Sequence, residues 1–403
     1  MAASRKEFLG AALLAGAFAG CRGVGVPAPA KARFAPFKIE GLEPKPDFWK
    51  VRPEEIVEVC ERATKCSKKE IICRTPLGYP VYALFYGDFD DPPPQTSWPA
   101  GRNSTTYHNY YGNRADGKQT FLFIAGIHGA EPECTVSALN LIQMLETGRD
   151  FRGQTDAKLI ELIGKYRLII VPCVNMDGRS ISPDHLRGVD WDTFRRASQG
   201  VWKADNSRIG WRGSKAWYPL PLDKVSYPGG YPNAEGYNIN LDCVPGDIRT
   251  AEAKALLNLA ARWRVDAILN GHSYEYAPSV IRSSSQDYPE RIARSCEIRY
   301  RCNRALQAAG LLPGKLRPPE EDRPTRPYIC IDEALKMACG GIVLCLECSV
   351  SYDVPDNPPK QRPTRTYTFE ELMTPAFVVL KEFLADGLEK PFVIRGEERL
   401  LED

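Results

Sequence analysis

Hydrophobic positions in this chain fall into stretches of two kinds. Residues 119–126 (QTFLFIAG), 166–174 (YRLIIVPCV), 265–270 (VDAILN) and 341–347 (GIVLCLE) are continuous apolar runs, the pattern of strands buried on both faces. Residues 79–86 (YPVYALFY) alternate and are aromatic and β-branched, which predicts a further strand. Between these runs, residues 53–64, 132–146, 250–263, 289–309 and 369–386 carry apolar side chains at helical spacing. Pro53 suits a first helical turn, Thr250 suits a helix cap, and Pro375 is a point where the closing helix is free to kink. Asn175-Met176-Asp177-Gly178 reads as a turn. Residues 88–118 and 179–235 are rich in Gly, Pro and polar residues and read as long loops, and loops of such length are usually functional.

Strands alternating with helices predict an α/β fold: a single domain with a mixed, mostly parallel sheet flanked by helices. It is expected to span residues 40–395. The composition is that of an ordinary globular protein, with 43% hydrophobic and 26% charged residues. A net charge of +2 gives no reason to expect nucleic acid.

The first 21 residues differ from the rest. SRKEFL is followed by the apolar AALLAGAFA and then by Gly20-Cys21, the layout of an export signal. SRKEFL resembles a twin-arginine motif, and Phe18-Ala19-Gly20-Cys21 resembles a bacterial lipobox whose cysteine becomes a lipidated N-terminus. The expected location is therefore periplasmic or cell-surface, with the only membrane contact through a lipid on Cys21. Residues 22–39 read as a flexible tether. Export permits disulfides, with Cys60, Cys66 and Cys73 as candidates among 13 cysteines. Cysteines inside apolar strands (Cys173, Cys345, Cys348) read as buried thiols.

The chemistry gathers where strands end. The chain has 4 histidines. One of them, His128, stands three residues before Glu131 in a Gly-rich turn just past a strand. Another, His272, follows VDAILNG. Two imidazoles and a carboxylate make a zinc site with one position open for water. An HxxE pair alone is weak, and a lone histidine at a strand end is more often a hydrogen-bonded core residue. The combination raises the odds. Glu347 ends a strongly apolar strand, where a carboxylate is costly unless it is functional or held in a salt bridge. Cys345 is expected on the same face of that strand, and Cys348 on the other.

These motifs resemble those of the zinc carboxypeptidase A-like metallopeptidases, the M14 family, over most of the mature chain. His128 and Glu131 match the family's HxxE, His272-Ser273-Tyr274 its HSY, and Glu347 its late glutamate. Asn175–Gly178 resembles its NPDG turn, Gly236–Asn240 its GxDxN segment, and Ile331-Asp332 its pocket floor. SKKEIICRTPLGYPVYAL resembles its early strand pair. The resemblance implies zinc held by His128, Glu131 and His272, with Glu347 as the general base that activates the zinc-bound water. It implies substrate contacts from Asn240, Ser273, Tyr274 and Asp332, with Tyr328 the nearest match to a family tyrosine.

An oxyanion arginine is also expected; Arg187 is the choice, with Arg179, Arg195, Arg196 and Arg212 as competitors. The family arginine that grips a substrate's terminal carboxylate is replaced by Leu241, and Arg249 is a substitute from a nearby loop. The expected activity is zinc-dependent hydrolysis of peptide or amide bonds by a monomer. Deacylation of N-acyl amino acids at the same site is the alternative within enzymes, and a non-catalytic binding protein the alternative outside them.

Overall fold

The computed structural model describes residues 30–89, 118–244, 246–274, 277–282, 289–312, 316–321, 330–351 and 366–392. Cys21 with the export signal, and Tyr328, lie outside these residues.

Helix α1 (Pro53–Arg62) starts at Pro53, as its sequence predicts. Strands β1 (Lys68–Arg74) and β2 (Pro80–Tyr86) form the expected antiparallel pair. Then come β3 (Thr120–Ala125), α2 (Glu133–Thr147), α3 (Ala157–Ile163) and β4 (Arg167–Val171). The long segment that follows is not structureless. It holds α4 (Met176–Ile181), α5 (Trp191–Gln199), β5 (Val201–Trp202), α6 (Gly210–Ala216) and β6 (Val225–Tyr227). These pieces are too short to show a period. Asn175 does not simply turn the chain: its side chain accepts from Gly178 N at 2.8 Å and caps α4.

Helix α7 (Ala251–Arg262) is capped by Thr250, which accepts from Ala253 N. Strand β7 (Ala267–Tyr274) continues past the apolar run into the histidine. It is followed by β8 (Ser279–Arg282), α8 (Pro289–Ala308), α9 (Ile331–Cys339), β9 (Ile342–Ser349) and α10 (Phe369–Glu389), which runs through Pro375.

Seven strands form one sheet in the order β1-β2-β4-β3-β7-β9-β8. The four central strands are parallel and the edges antiparallel. The continuous apolar runs are explained by burial on both faces. Phe121, Phe123 and Ala125 of β3 face one core, while Leu122 and Ile124 face the other. From β3 the chain first adds β4 on one side and later β7 on the other. The order therefore reverses at β3, and in open α/β sheets the crevice beyond the strands' carboxyl ends at such a point is where ligands bind.

Two expectations are corrected. Residues 30–39 do not hang free: Phe37 N donates to Ile181 O at 2.8 Å, and its ring lies 4.8 Å from that of Tyr227. Apolar contact holds that part of the tether on the domain. Cys60, Cys66 and Cys73 are free thiols, as is every other cysteine among the described residues.

Candidate metal centre and cleft

His128 leaves β3 through Gly126, which adopts φ +64°, and Gly129, where a Cβ would come 2.1 Å from the Gly178 carbonyl carbon. Only glycine at 129 lets the turn close against α4. Arg179 then fixes it, donating from Nη1 to Gly129 O at 2.7 Å. His272 emerges from the neighbouring strand β7.

The three side chains meet. Glu131 Oε1 lies 2.9 Å from His128 Nδ1, and its Oε2 lies 3.0 Å from His272 Nδ1. All three are buried, and their donor atoms fall within 4.8 Å of one another. Both imidazoles present Nδ1 to the cluster and Nε2 outward. His128 Nε2 is 3.2 Å from Asn238 Oδ1, and His272 Nε2 is 3.1 Å from Asn270 Nδ2. Two nitrogens and a carboxylate with outer polar partners fit a zinc ion. Burial alone would raise the Glu131 pKa, but the two histidines hold it down, at about 2.

Glu347 stands opposite His272 in the register of β7 and β9. Loss of solvent pushes its carboxyl up to about 7, with His272 opposing the shift and Glu131 and Asp332 adding to it. Cys345 shares its face, as the strand period requires, with Sγ 3.8 Å from Glu347 Oε1.

A family model described as zinc carboxypeptidase matches residues 67–309, more than half of the chain. The chain belongs to the zinc carboxypeptidase family. It is accordingly a zinc metallopeptidase, and all three metal-binding candidates lie inside the matched region. Among solved structures it is similar to a metallo-carboxypeptidase from Burkholderia cenocepacia, at 15% identity over 82% of this chain and 67% of that one (TM-score 0.47). A Pseudomonas aeruginosa metallo-carboxypeptidase, in complex with (2-guanidinoethylmercapto)succinic acid, is 14% identical over 83% and 68% (TM-score 0.48). Bovine thrombin-activatable fibrinolysis inhibitor, in complex with tick carboxypeptidase inhibitor, is 13% identical over 85% and 99% (TM-score 0.48). No curated protein sequence matches.

Several residues of this zinc carboxypeptidase sit differently from expectation. Ser273 was expected to touch substrate. It is buried, donating its N–H to Glu131 Oε2 at 3.1 Å and its hydroxyl to Glu133, so it orients the carboxylates. Asp332 is also buried and accepts from Asn270 Nδ2 at 2.7 Å, and that amide in turn faces His272 Nε2. Asn240 stays available: its Oδ1 is buried without a partner among the described residues. Tyr274 ends β7 beside His272 and Ser273.

Arg187 is committed elsewhere. Its Nε donates to Tyr367 O at 2.6 Å, Nη1 pairs with Glu43, and the guanidinium covers Phe369. Arg179 is spent on backbone carbonyls, and Arg196 on Asp192 and Asn206 O. The guanidinium of Arg195 lies 5.3 Å from the ring centres of both Trp191 and Phe194, and its charge is felt at the Tyr231 hydroxyl. Burial pushes that hydroxyl far up, as do Glu131 and Glu347, while Arg195 opposes them. Sequence reasoning missed Tyr231, whose ring lies 4.3 Å from His128, as well as Asn238 and Asn270. Asn238 occupies the third position of the GxDxN-like segment, and that position was the available signal.

Proposed function

We propose that this zinc carboxypeptidase hydrolyses peptide or peptide-like amide bonds at the His128–Glu131–His272 centre, with Glu347 as general base. The observation that carries this reading is the placement of Glu347 directly opposite His272 in the register of β7 and β9.

His128, Glu131 and His272 would hold the zinc ion, which when bound would supply Lewis acidity toward the scissile carbonyl and the attacking water. Asn238 and Asn270 hold the two imidazoles in orientation, and Ser273 steadies Glu131. Glu347 takes the proton from the attacking water and returns it to the leaving nitrogen. Arg195 stabilises negative charge as it develops on the carbonyl oxygen, and Asn240 contacts the substrate.

Leu241 favours one second reading. With no arginine there to fork onto a terminal carboxylate, small N-acyl amino acids are an alternative substrate class to intact peptides. The enzyme is further proposed to be an exported bacterial protein, lipid-anchored at Cys21 and monomeric. The test is metal content followed by incubation with peptides and N-acyl amino acids, with and without chelator. Bound zinc with chelator-sensitive amide cleavage supports the proposal; bound zinc with no cleavage of either class sinks it.

A further inference from the structure

Helix α2 begins two residues after Glu131 and lies against β7 and β9, the strands that carry His272 and Glu347. Cys134, in the first turn of α2, rests on Gly271 of β7. A Cβ at Gly271 would come 2.5 Å from both Cβ and Sγ of Cys134, so the bare backbone is what lets the helix seat this close. The same sulfur lies 4.0 Å from the carbonyl oxygen of His272.

Cys348 follows Glu347 on β9 and turns to the opposite face of that strand. Its register partner on β7 is Ser273, whose hydroxyl bonds Glu133, the neighbour of Cys134. The strand pairing thus brings Cys348 under the start of α2. Cys134 Sγ and Cys348 Sγ are 3.5 Å apart, and both residues are fully buried in one core. A disulfide holds its sulfurs at about 2 Å, a gap that small rotations of two side chains close.

We propose that Cys134 and Cys348 are joined by a disulfide when this protein folds in an oxidising compartment, and that the bond staples the helix beside the HxxE turn to the strand that carries Glu347. It stands independently of the substrate class. The two cysteines are 214 residues apart, and cross-links that close long loops restrict the unfolded chain most.

The oxidant is a disulfide such as oxidised glutathione. The thiolate of one cysteine bonds to a glutathione sulfur and expels the other as a thiol. The second cysteine then attacks the protein sulfur of this mixed disulfide and expels the remaining glutathione. The pair loses two protons and two electrons, and the glutathione disulfide gains both. Contact with Cys134 and loss of solvent push the Cys348 thiol well up. Exchange is therefore slow once α2 covers β9, and the bond forms as the chain folds.

The test uses the full-length protein and its Cys134→Ala/Cys348→Ala variant. The wild type is refolded from urea with zinc, in mixtures of oxidised and reduced glutathione and in reduced glutathione alone. Protein that has never been unfolded is held in the same mixtures until its thiol count is constant, so a failure to refold does not decide the result. Free thiols are alkylated, and unreduced digests are read by mass spectrometry. A peptide joining Cys134 to Cys348 is expected in the oxidising mixtures and not in the reduced sample. The bridged protein should melt about 5 °C or more above the reduced one. The double variant should show no such difference, and the comparison within the wild type stands without it. Cys134 and Cys348 alkylated in every mixture, or either one paired with a different cysteine, overturns the bond. A bridged protein that melts with the reduced one overturns the staple.

Discussion

His272 and Glu347 stand directly opposite each other on adjacent parallel strands, β7 and β9. The proposed metal ligand and the proposed base are thus held by backbone hydrogen bonds rather than by a loop. Their separation is therefore fixed before substrate arrives, which favours a positioned proton transfer.

Replacing Glu347 by Gln should leave zinc bound and cut kcat by about 10²–10⁴-fold, the usual worth of a positioned general base. Metal analysis and steady-state kinetics on the same preparation check this. Full activity in the variant would remove Glu347 from the mechanism.

Asn238 accepts from or faces His128 Nε2 at 3.2 Å, on the side away from the cluster. Asn238→Ala should weaken zinc binding by about 10–100-fold, since outer partners of ligand histidines have effects of that order. Competition with a chelator measures it, and an unchanged affinity would mean that Asn238 does not orient the ring.

Metal removal should lower thermal stability as well as abolish turnover, because zinc binds the folded state and not the unfolded chain. A melting temperature unaffected by chelator would argue that the three ligands hold no ion in solution.

Glu252 sits buried on α7, accepting from Asn233 Nδ2 at 3.2 Å, with its other oxygen unpaired among the described residues. Burial raises its pKa from 4.5 to about 7. The folded state therefore keeps a proton that the unfolded state releases, and stability falls as pH rises from the unfolded pKa through the folded one. The full loss above neutrality is on the order of 3 kcal/mol. Glu252→Gln should flatten that dependence, read from urea midpoints at about pH 5 and about pH 8.5. An unchanged slope would show that other groups carry it.

Expression in a bacterial host should yield protein that partitions into detergent, and Cys21→Ser should return it to the aqueous phase. A wild type that stays aqueous would remove the lipid anchor from the proposal.

The sheet was readable because β3, β7 and β9 are buried on both sides and so carry long apolar runs, with polar residues gathered toward their carboxyl ends. His272 and Glu347 stand out against that background for the same reason. Tyr231 was not readable. Its segment is shaped by individual hydrogen bonds, such as Gly129 N to Gly230 O at 2.7 Å and Asn175 Nδ2 to Tyr231 O at 3.0 Å. Bonds of that kind have no period. The hydrogen bonds of Ser273 to Glu131 and Glu133, and of Asp332 to Asn270, were not readable, because a motif places a residue near a site without saying which way its side chain turns. Arg187 failed for a simpler reason: Glu43, far away in sequence, claims it.

The strand order also sets a sequence of events. All three metal-binding side chains lie on the β3 and β7 segments, and the chain reaches both before it reaches β9. β9, which carries Glu347, pairs directly with the strand that carries His272. A chain cut short before β9 would therefore keep every ligand residue and yet lose both the base and the strand that flanks the centre, so the last central strand is where the site is completed.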